Sequence, residues 1–289
     1  MSEHAEVLRI TILCDNRALP GFGSEHGWAA LVESAGHRVL LDTGSGPTLL
    51  PNARQAGADL STLDALVLSH GHYDHTGGLA ALLEQSGPLD VWAHPAAFEP
   101  TFASGAEGDA RYIGMPLARS EYEALGARFR LCQEPVEVAP GVRTTGFVPR
   151  SVTGNVPAPH LLRTRDDLTG PDDFVDDMSL VLSAGEGVFI LTGCAHAGLR
   201  NILARAWEIA PGAPVWAIAG GTHLVAAPGD EVRELARDLA AAGVSAIGAA
   251  HCTGEASAQA MREAFSGRTL DIAAGLVLSV AANGLIRTS

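Results

Sequence analysis

Three histidines and an aspartate fall within six residues, at His70, His72, Asp74 and His75 of the run Ser69-His70-Gly71-His72-Tyr73-Asp74-His75. Imidazole and carboxylate both donate electron pairs to metal ions, and they suit zinc, iron or manganese better than magnesium or calcium. The run closes LDALVLSH (63–70), a nearly all-apolar stretch that reads as an interior strand covered on both faces. At a strand end, side chains two residues apart face the same way, so His70 and His72 can grip one ion together. Asp74 and His75 come where the chain turns into a helix and reach a second ion. His196 and His251, at the ends of later strand-like runs, complete the shells with three protein ligands per ion and a position left for water. The chemistry this predicts is metal-assisted hydrolysis. The rival reading is a chance cluster of surface histidines. Two neighbouring histidines would be weak evidence against it, whereas four ligand-type residues at this spacing after a buried strand are strong evidence. For His196 and His251 taken alone, the rival is a core histidine satisfied by hydrogen bonds.

The elements that must hold these residues alternate between strand-like and helical patterns, which gives an α/β class. VLRITIL (7–13), GWAALVES (27–34) and HRVLLDTG (37–44) read as strands, a helix is expected from Thr76 to Gln85, and VWAH (91–94) is the next strand. MSLVLSA (178–184) and GVFILTG (187–193) form a predicted hairpin about Gly185-Glu186. PVWAIAG (214–220) and VSAIGAA (244–250) are buried strands separated by the helical repeat DEVRELARDLAAAG, and Leu276–Val280 reads as the closing strand. Strand after strand ends in a polar cluster: Asp42-Thr43-Gly44, Ser69-His70, His94, Gly193-Cys194-Ala195-His196, Gly221-Thr222-His223 and His251-Cys252. Ligands of layered α/β proteins gather where strand ends converge. No linker divides the chain, so residues 1–289 are expected to form a single domain. Two stretches of weak periodicity, about 99–125 and 146–176, are expected to be insertions beside the active site.

Composition excludes several functions. The net charge is −14, from 33 acidic and 19 basic residues, which disfavours nucleic acid and anionic membranes as partners. Arg143, Arg150, Arg163 and Arg165 remain candidates for a local pocket that takes a small anion. No apolar run reaches the length of a membrane span, and the first residues lack the apolar core of a signal peptide. The four cysteines are scattered and a long chain needs no disulfides, so a cytoplasmic protein is expected, with a homo-oligomer left open.

The run His70-Gly71-His72-Tyr73-Asp74-His75 resembles the HxHxDH signature of the metallo-β-lactamase superfamily, and Leu41-Asp42-Thr43-Gly44 resembles a second strand-end motif of that family. The resemblance implies a four-layer αββα sandwich over essentially the whole chain. It implies one metal on His70, His72 and His196 and another on Asp74, His75 and His251, with zinc first and iron or manganese as alternatives. A narrower likeness rests on Asp15-Asn16, Glu25-His26-Gly27, Asn52-Ala53, SHGHYDHTGGL, Thr192-Gly193-Cys194-Ala195-His196, Gly220-Gly221-Thr222-His223-Leu224 and His251-Cys252-Thr253-Gly254. It points to the branch named for an archaeal dihydropterin–ribofuranosylaminobenzene 5′-phosphate synthase. This implies a small, phosphate-bearing substrate and a hydrolase acting on it, with Asp74 as the catalytic group that orients water. The alternatives are a synthase-like transferase forming a C–N bond and hydrolysis of lactones, thioesters or β-lactams. The chain departs from glyoxalase-like and ribonuclease-like relatives, which carry a metal-bridging aspartate where AIAGGTHL here offers His223. His223 is read as a substrate contact or proton donor, and Glu25 and His26 as pocket residues. Asp42 is read as a support of the ligands, and Asp176 and Asp177 either as further supports or as caps of a loop. Cys194 and Cys252 are read as small packed residues, with a thiolate contribution as the alternative.

Overall fold

The computed structural model describes residues 6–105, 109–152, 158, 160–166 and 168–289, so parts of both expected insertions and the first five residues lie outside the described residues. Strands and helices are numbered in chain order. The first sheet contains β1 (Glu6–Cys14), β2 (Ala29–Ser34), β3 (His37–Leu41), β4 (Ala65–Val67), β5 (Leu89–Ala93), β8 (Ala127–Leu131), β18 (Val277–Ala281) and β19 (Ile286–Thr288), in the spatial order β19-β18-β1-β2-β3-β4-β5-β8. The second contains β9 (Glu137–Ala139), β10 (Val142–Thr144), β13 (Ser179–Ala184), β14 (Gly187–Thr192), β15 (Val215–Gly221), β16 (Ala246–Ala250) and β17 (Arg268–Thr269), in the order β17-β16-β15-β14-β13-β10-β9.

Both sheets are apolar on two faces because alternate residues serve different layers. In β14, Phe189 and Leu191 point into the core between the sheets, while Val188 and Ile190 meet an outer helical layer. Leu8, Ile10 and Ile12 of β1 face the same central core as Leu180 and Leu182 of β13. Outside the first sheet lie α1 (Leu49–Gln55), α3 (Leu79–Ser86) and α4 (Arg119–Ala124), packed through Leu49, Ala53, Leu82, Leu83 and Tyr122. Outside the second lie α5 (Leu199–Ile209), α6 (Gly229–Ala241) and α7 (Glu255–Ala264), packed through Ile202, Val232, Leu235 and Met261. The layers therefore run helix, sheet, sheet, helix, as the resemblance implied.

Three expectations are corrected. The helix expected over 76–85 is two, α2 (Tyr73–Thr76) and α3, broken at Gly77-Gly78 where Gly77 and Gly78 donate backbone hydrogen bonds to the Gly44 carbonyl. The weakly periodic stretches, in which no strand is read, contain four: β6 (Thr101–Ser104), β7 (Ala110–Tyr112), β11 (Leu161–Arg165) and β12 (Leu168–Pro171) pair into a third sheet, ordered β12-β11-β6-β7. The strand near Leu276–Val280 does not close the chain, because β19 follows and pairs antiparallel with it. The β13–β14 hairpin is present as read, with Ala184 opposite Gly187 across a two-residue turn. No helix among the described residues is long and apolar enough to cross a membrane.

Candidate metal centre

β3 and β4 run parallel in one sheet, and β14, β15 and β16 run parallel in the other. Their C-terminal ends deliver, in turn, Asp42, Ser69-His70, Cys194, Thr222-His223 and His251. The backbone there is strained: of seven described non-glycine residues with positive φ, five are Asp42, Phe174, Ala195, His223 and His251. Side chains in this region cost on the order of 1–3 kcal/mol each, and such costs persist where the fold over-determines a site. Gly193 allows the close approach of the two sheets, because a Cβ there would collide with the Ser69 side chain.

A set of buried carboxylates fixes the ligand-bearing segments. Asp42 accepts hydrogen bonds from the Ser69 backbone N–H and hydroxyl, each at 2.7 Å, and bonds His75 Nδ1 at 2.7 Å. With Nδ1–H donated to Asp42, the Nε2 lone pair of His75 is the one aimed at the site. Asp176 accepts the Gly71 N–H at 2.9 Å, and Asp177 accepts the Ala197 N–H at 2.9 Å. Asp15 accepts the His251 N–H at 2.8 Å, and Asn16 Oδ1 lies 2.9 Å from His251 Nδ1.

The six sequence-read ligands are brought together. The rings of His70, His72 and His196 stand 4.5, 4.9 and 5.3 Å apart between centroids, and His75 lies 4.2 Å from His70 and 5.0 Å from His251. Asp74 Oδ2 is 3.2 Å from His26 Nε2, 3.3 Å from His251 Nε2 and 3.8 Å from His75 Nε2. Buried nitrogens without a hydrogen-bond partner are concentrated here: His72 Nε2, both ring nitrogens of His196, His223 Nδ1 and His251 Nε2. An unpaired buried nitrogen is costly unless something outside the protein meets it. Burial, reinforced by neighbouring imidazoles, holds His70 and His196 well below the usual histidine range, and burial takes His72 down to about 4. Burial also acts to lower His75, but the Asp42 and Asp74 carboxylates outweigh it and lift the ring to about 9. Burial would raise Asp74, yet His75, His251 and His26 hold it well below the usual carboxylate range. Neutral His70, His72 and His196 and an ionised Asp74 are the protonation states metal binding requires, and a divalent ion would displace the proton that Asp42 and Asp74 hold on His75, so the residues fit divalent ions.

Above the centre lies a cavity of about 410 Å³ whose wall includes His26, His72, Asp74, His196, His223 and His251. His223 lies on that wall with its ring 4.2 Å from His196. Glu25 does not line the cavity. Its carboxylate accepts the backbone N–H groups of Ser45, Gly46 and Thr48 and so braces the loop after β3. The four arginines read as an anion pocket do not form one: Arg163 and Arg165 share Glu99, and none of the four lines the cavity. Arg163 is buried against Asp172 and Asp176, Arg165 pairs with Glu99 and Asp173, Arg143 pairs with Glu137 on the surface, and Arg150 lies over the Phe174 ring. The cation on the cavity wall is instead Arg111, which has no ion-pair partner among the described residues. Nothing in its local sequence marks it, since the third sheet carries it there. Cys194, read as a packing residue, lies 3.1 Å from His75 Nε2.

The sequence model of the Metallo-beta-lactamase superfamily matches residues 23–251. The chain is 28% identical over 242 residues to the 7,8-dihydropterin-6-methyl-4-(β-D-ribofuranosyl)-aminobenzene-5′-phosphate synthase of Methanocaldococcus jannaschii, covering 81% of this chain and 82% of that one. It is 32% identical over 219 residues to an uncharacterized protein of the same archaeon, covering 75% of this chain and 79% of that one. Among solved structures it is similar to Tm1679, described as a metal-dependent hydrolase of the β-lactamase superfamily, at a TM-score of 0.83 and 32% identity over 95% of this chain and 99% of that one.

Proposed function

The chain belongs to the metallo-β-lactamase superfamily and is a metal-dependent hydrolase of that fold, and from that premise we propose that it works through two divalent ions on a small phosphate-containing ester. The observation that carries the reading is the convergence of the orphaned nitrogens of His72, His196, His223 and His251 with the Asp74 carboxylate on one cavity whose wall also holds Arg111. His70, His72 and His196 would hold one ion, and Asp74, His75 and His251 the other, with zinc the leading candidate and iron or manganese the alternatives. Bound divalent ions supply a water acidic enough to attack at neutral pH and positive charge for the oxygen that gains charge.

The chain's own residues supply the rest. Asp74 orients the attacking water, and His26, 3.2 Å from Asp74 Oδ2, holds that carboxylate from the solvent side. His223, whose Nδ1 has no hydrogen-bond partner, would give a proton to the leaving oxygen. Arg111 meets the phosphate, with a guanidinium fork suited to two of its oxygens. Similarity to the archaeal phosphate synthase favours a phosphate-bearing substrate and raises a second reading, C–N bond formation. That reading calls for a flat stacking wall, and apart from histidines the cavity's aromatic lining among the described residues is Tyr73 alone.

Elemental analysis of the purified protein, with a chromogenic panel of phosphomonoester, phosphodiester, lactone, thioester and β-lactam, tests the proposal against His72→Ala. Close to two ions per chain and turnover of a phosphoester, both lost in the variant, are expected. Turnover confined to another ester class would overturn the substrate assignment, and metal without turnover of any member would move the function to the synthase reading.

A further inference from the structure

The two histidine groups share one side chain that the ligand set above leaves out. The ligand atoms of His70, Cys194 and His196 lie within 4.8 Å of one another, and so do those of His75, Cys194 and His251. Among the described residues no other side chain belongs to both groups. Ligands of one tetrahedral zinc, at about 2.0–2.3 Å from the ion, stand roughly 3.3–3.8 Å apart, so each group is compact enough to close on one ion with little adjustment. We propose that Cys194 binds as a thiolate shared between the two ions. The inference deepens the dinuclear reading above and rests on it.

Three observations support it. The Cys194 sulfur lies 3.1 Å from His75 Nε2, the nitrogen left free because Nδ1 bonds Asp42. Asp74 Oδ2 reaches His75 Nε2 at 3.8 Å and His251 Nε2 at 3.3 Å but is grouped with neither His70 nor His196, so no carboxylate among the described residues is grouped with both histidine sets. The strand end that follows has no room for one either: a Cβ on Gly221 would collide with the Gly193 carbonyl and stand 2.8 Å from the Cys252 sulfur. The space between the ions is therefore left to sulfur. Binding exchanges the thiol proton for the metal and releases that proton to solvent, with no redox change. Cys252 accepts the His223 N–H at 3.2 Å and groups with Cys194 and His223 but with neither histidine pair, so it serves as the comparison.

The test is X-ray absorption of the zinc-loaded wild-type protein, joined to cobalt(II) reconstitution of wild type, Cys194→Ser and Cys252→Ser. A shared thiolate predicts sulfur at about 2.3 Å from zinc with an average of one sulfur per ion. It also predicts a sulfur-to-cobalt charge-transfer band that is lost in Cys194→Ser and kept in Cys252→Ser. Two ions bound in a shell of nitrogen and oxygen only would overturn the inference while leaving the dinuclear hydrolase intact. Half a sulfur per ion would overturn the sharing. Failure to take up metal would overturn the dinuclear reading itself. Should Cys194→Ser not fold, the wild-type spectrum still decides.

Discussion

Asp42 shows how much one buried side chain can organise. It is fully buried with a positive φ, and its two oxygens serve the Ser69 N–H, the Ser69 hydroxyl and His75 Nδ1. Replacing one oxygen by an amide in Asp42→Asn sets a donor against a donor at one of those contacts and removes the charge that orients the His75 ring. Residues that orient a metal-binding histidine typically account for 10–100-fold in affinity. Asp42→Asn should therefore weaken metal binding by about that factor, read by competition against a chelator of known strength, and unchanged affinity would remove Asp42 from the site. At this scale the sequence was most informative where ligands are neighbours along the chain. His70, His72, Asp74 and His75 could be read directly, because one strand end and one turn place them. Arg111 could not, because it arrives through a sheet formed by distant segments. Three of the four arginines misled for the matching reason: the acidic partners of Arg143, Arg163 and Arg165, Glu99 and Asp176 among them, are invisible to local spacing.

At the scale of elements, the long apolar strands were legible because both their faces are buried, as in β14, where every residue is buried. The third sheet was not: β7 is exposed throughout and β12 nearly so, which leaves no hydrophobic period to read. Besides lining the cavity, that sheet reaches the metal loop through a buried connection. Arg163 on β11 bonds Asp172 at 2.8 Å and pairs with Asp176, whose other oxygen accepts the Gly71 N–H between two candidate ligands. Asp176→Ala leaves the buried guanidinium short of a partner and an N–H unsatisfied, a loss of about 3–5 kcal/mol. Denaturant unfolding should show that loss, with metal affinity falling alongside. Asp173→Ala, at an exposed pair with Arg165, should change stability by no more than about 0.5 kcal/mol. Equal effects of the two substitutions would refute the link between the third sheet and the metal loop.

At the scale of the whole molecule, the candidate ligands come from both halves of the sandwich. His70, His72, Asp74 and His75 follow β4 of the first sheet, whereas His196 and His251 follow β14 and β16 of the second. Each proposed ion therefore joins the two sheets, and ions bound by the folded chain alone add to its stability by mass action. At free metal 100-fold above the dissociation constant, each site contributes about 2.7 kcal/mol, or about 5 °C in Tm for a chain of this size. Stripping both ions with a chelator should lower Tm by roughly twice that, and adding zinc back should restore it. A net charge of −14 could also gather cations diffusely, which would raise Tm without any site. His72→Ala separates the two causes, because it alters one ligand and leaves the formal charge unchanged. If the ions join the sheets, the variant keeps at most half of the metal-dependent shift; if diffuse charge is responsible, it keeps all of it.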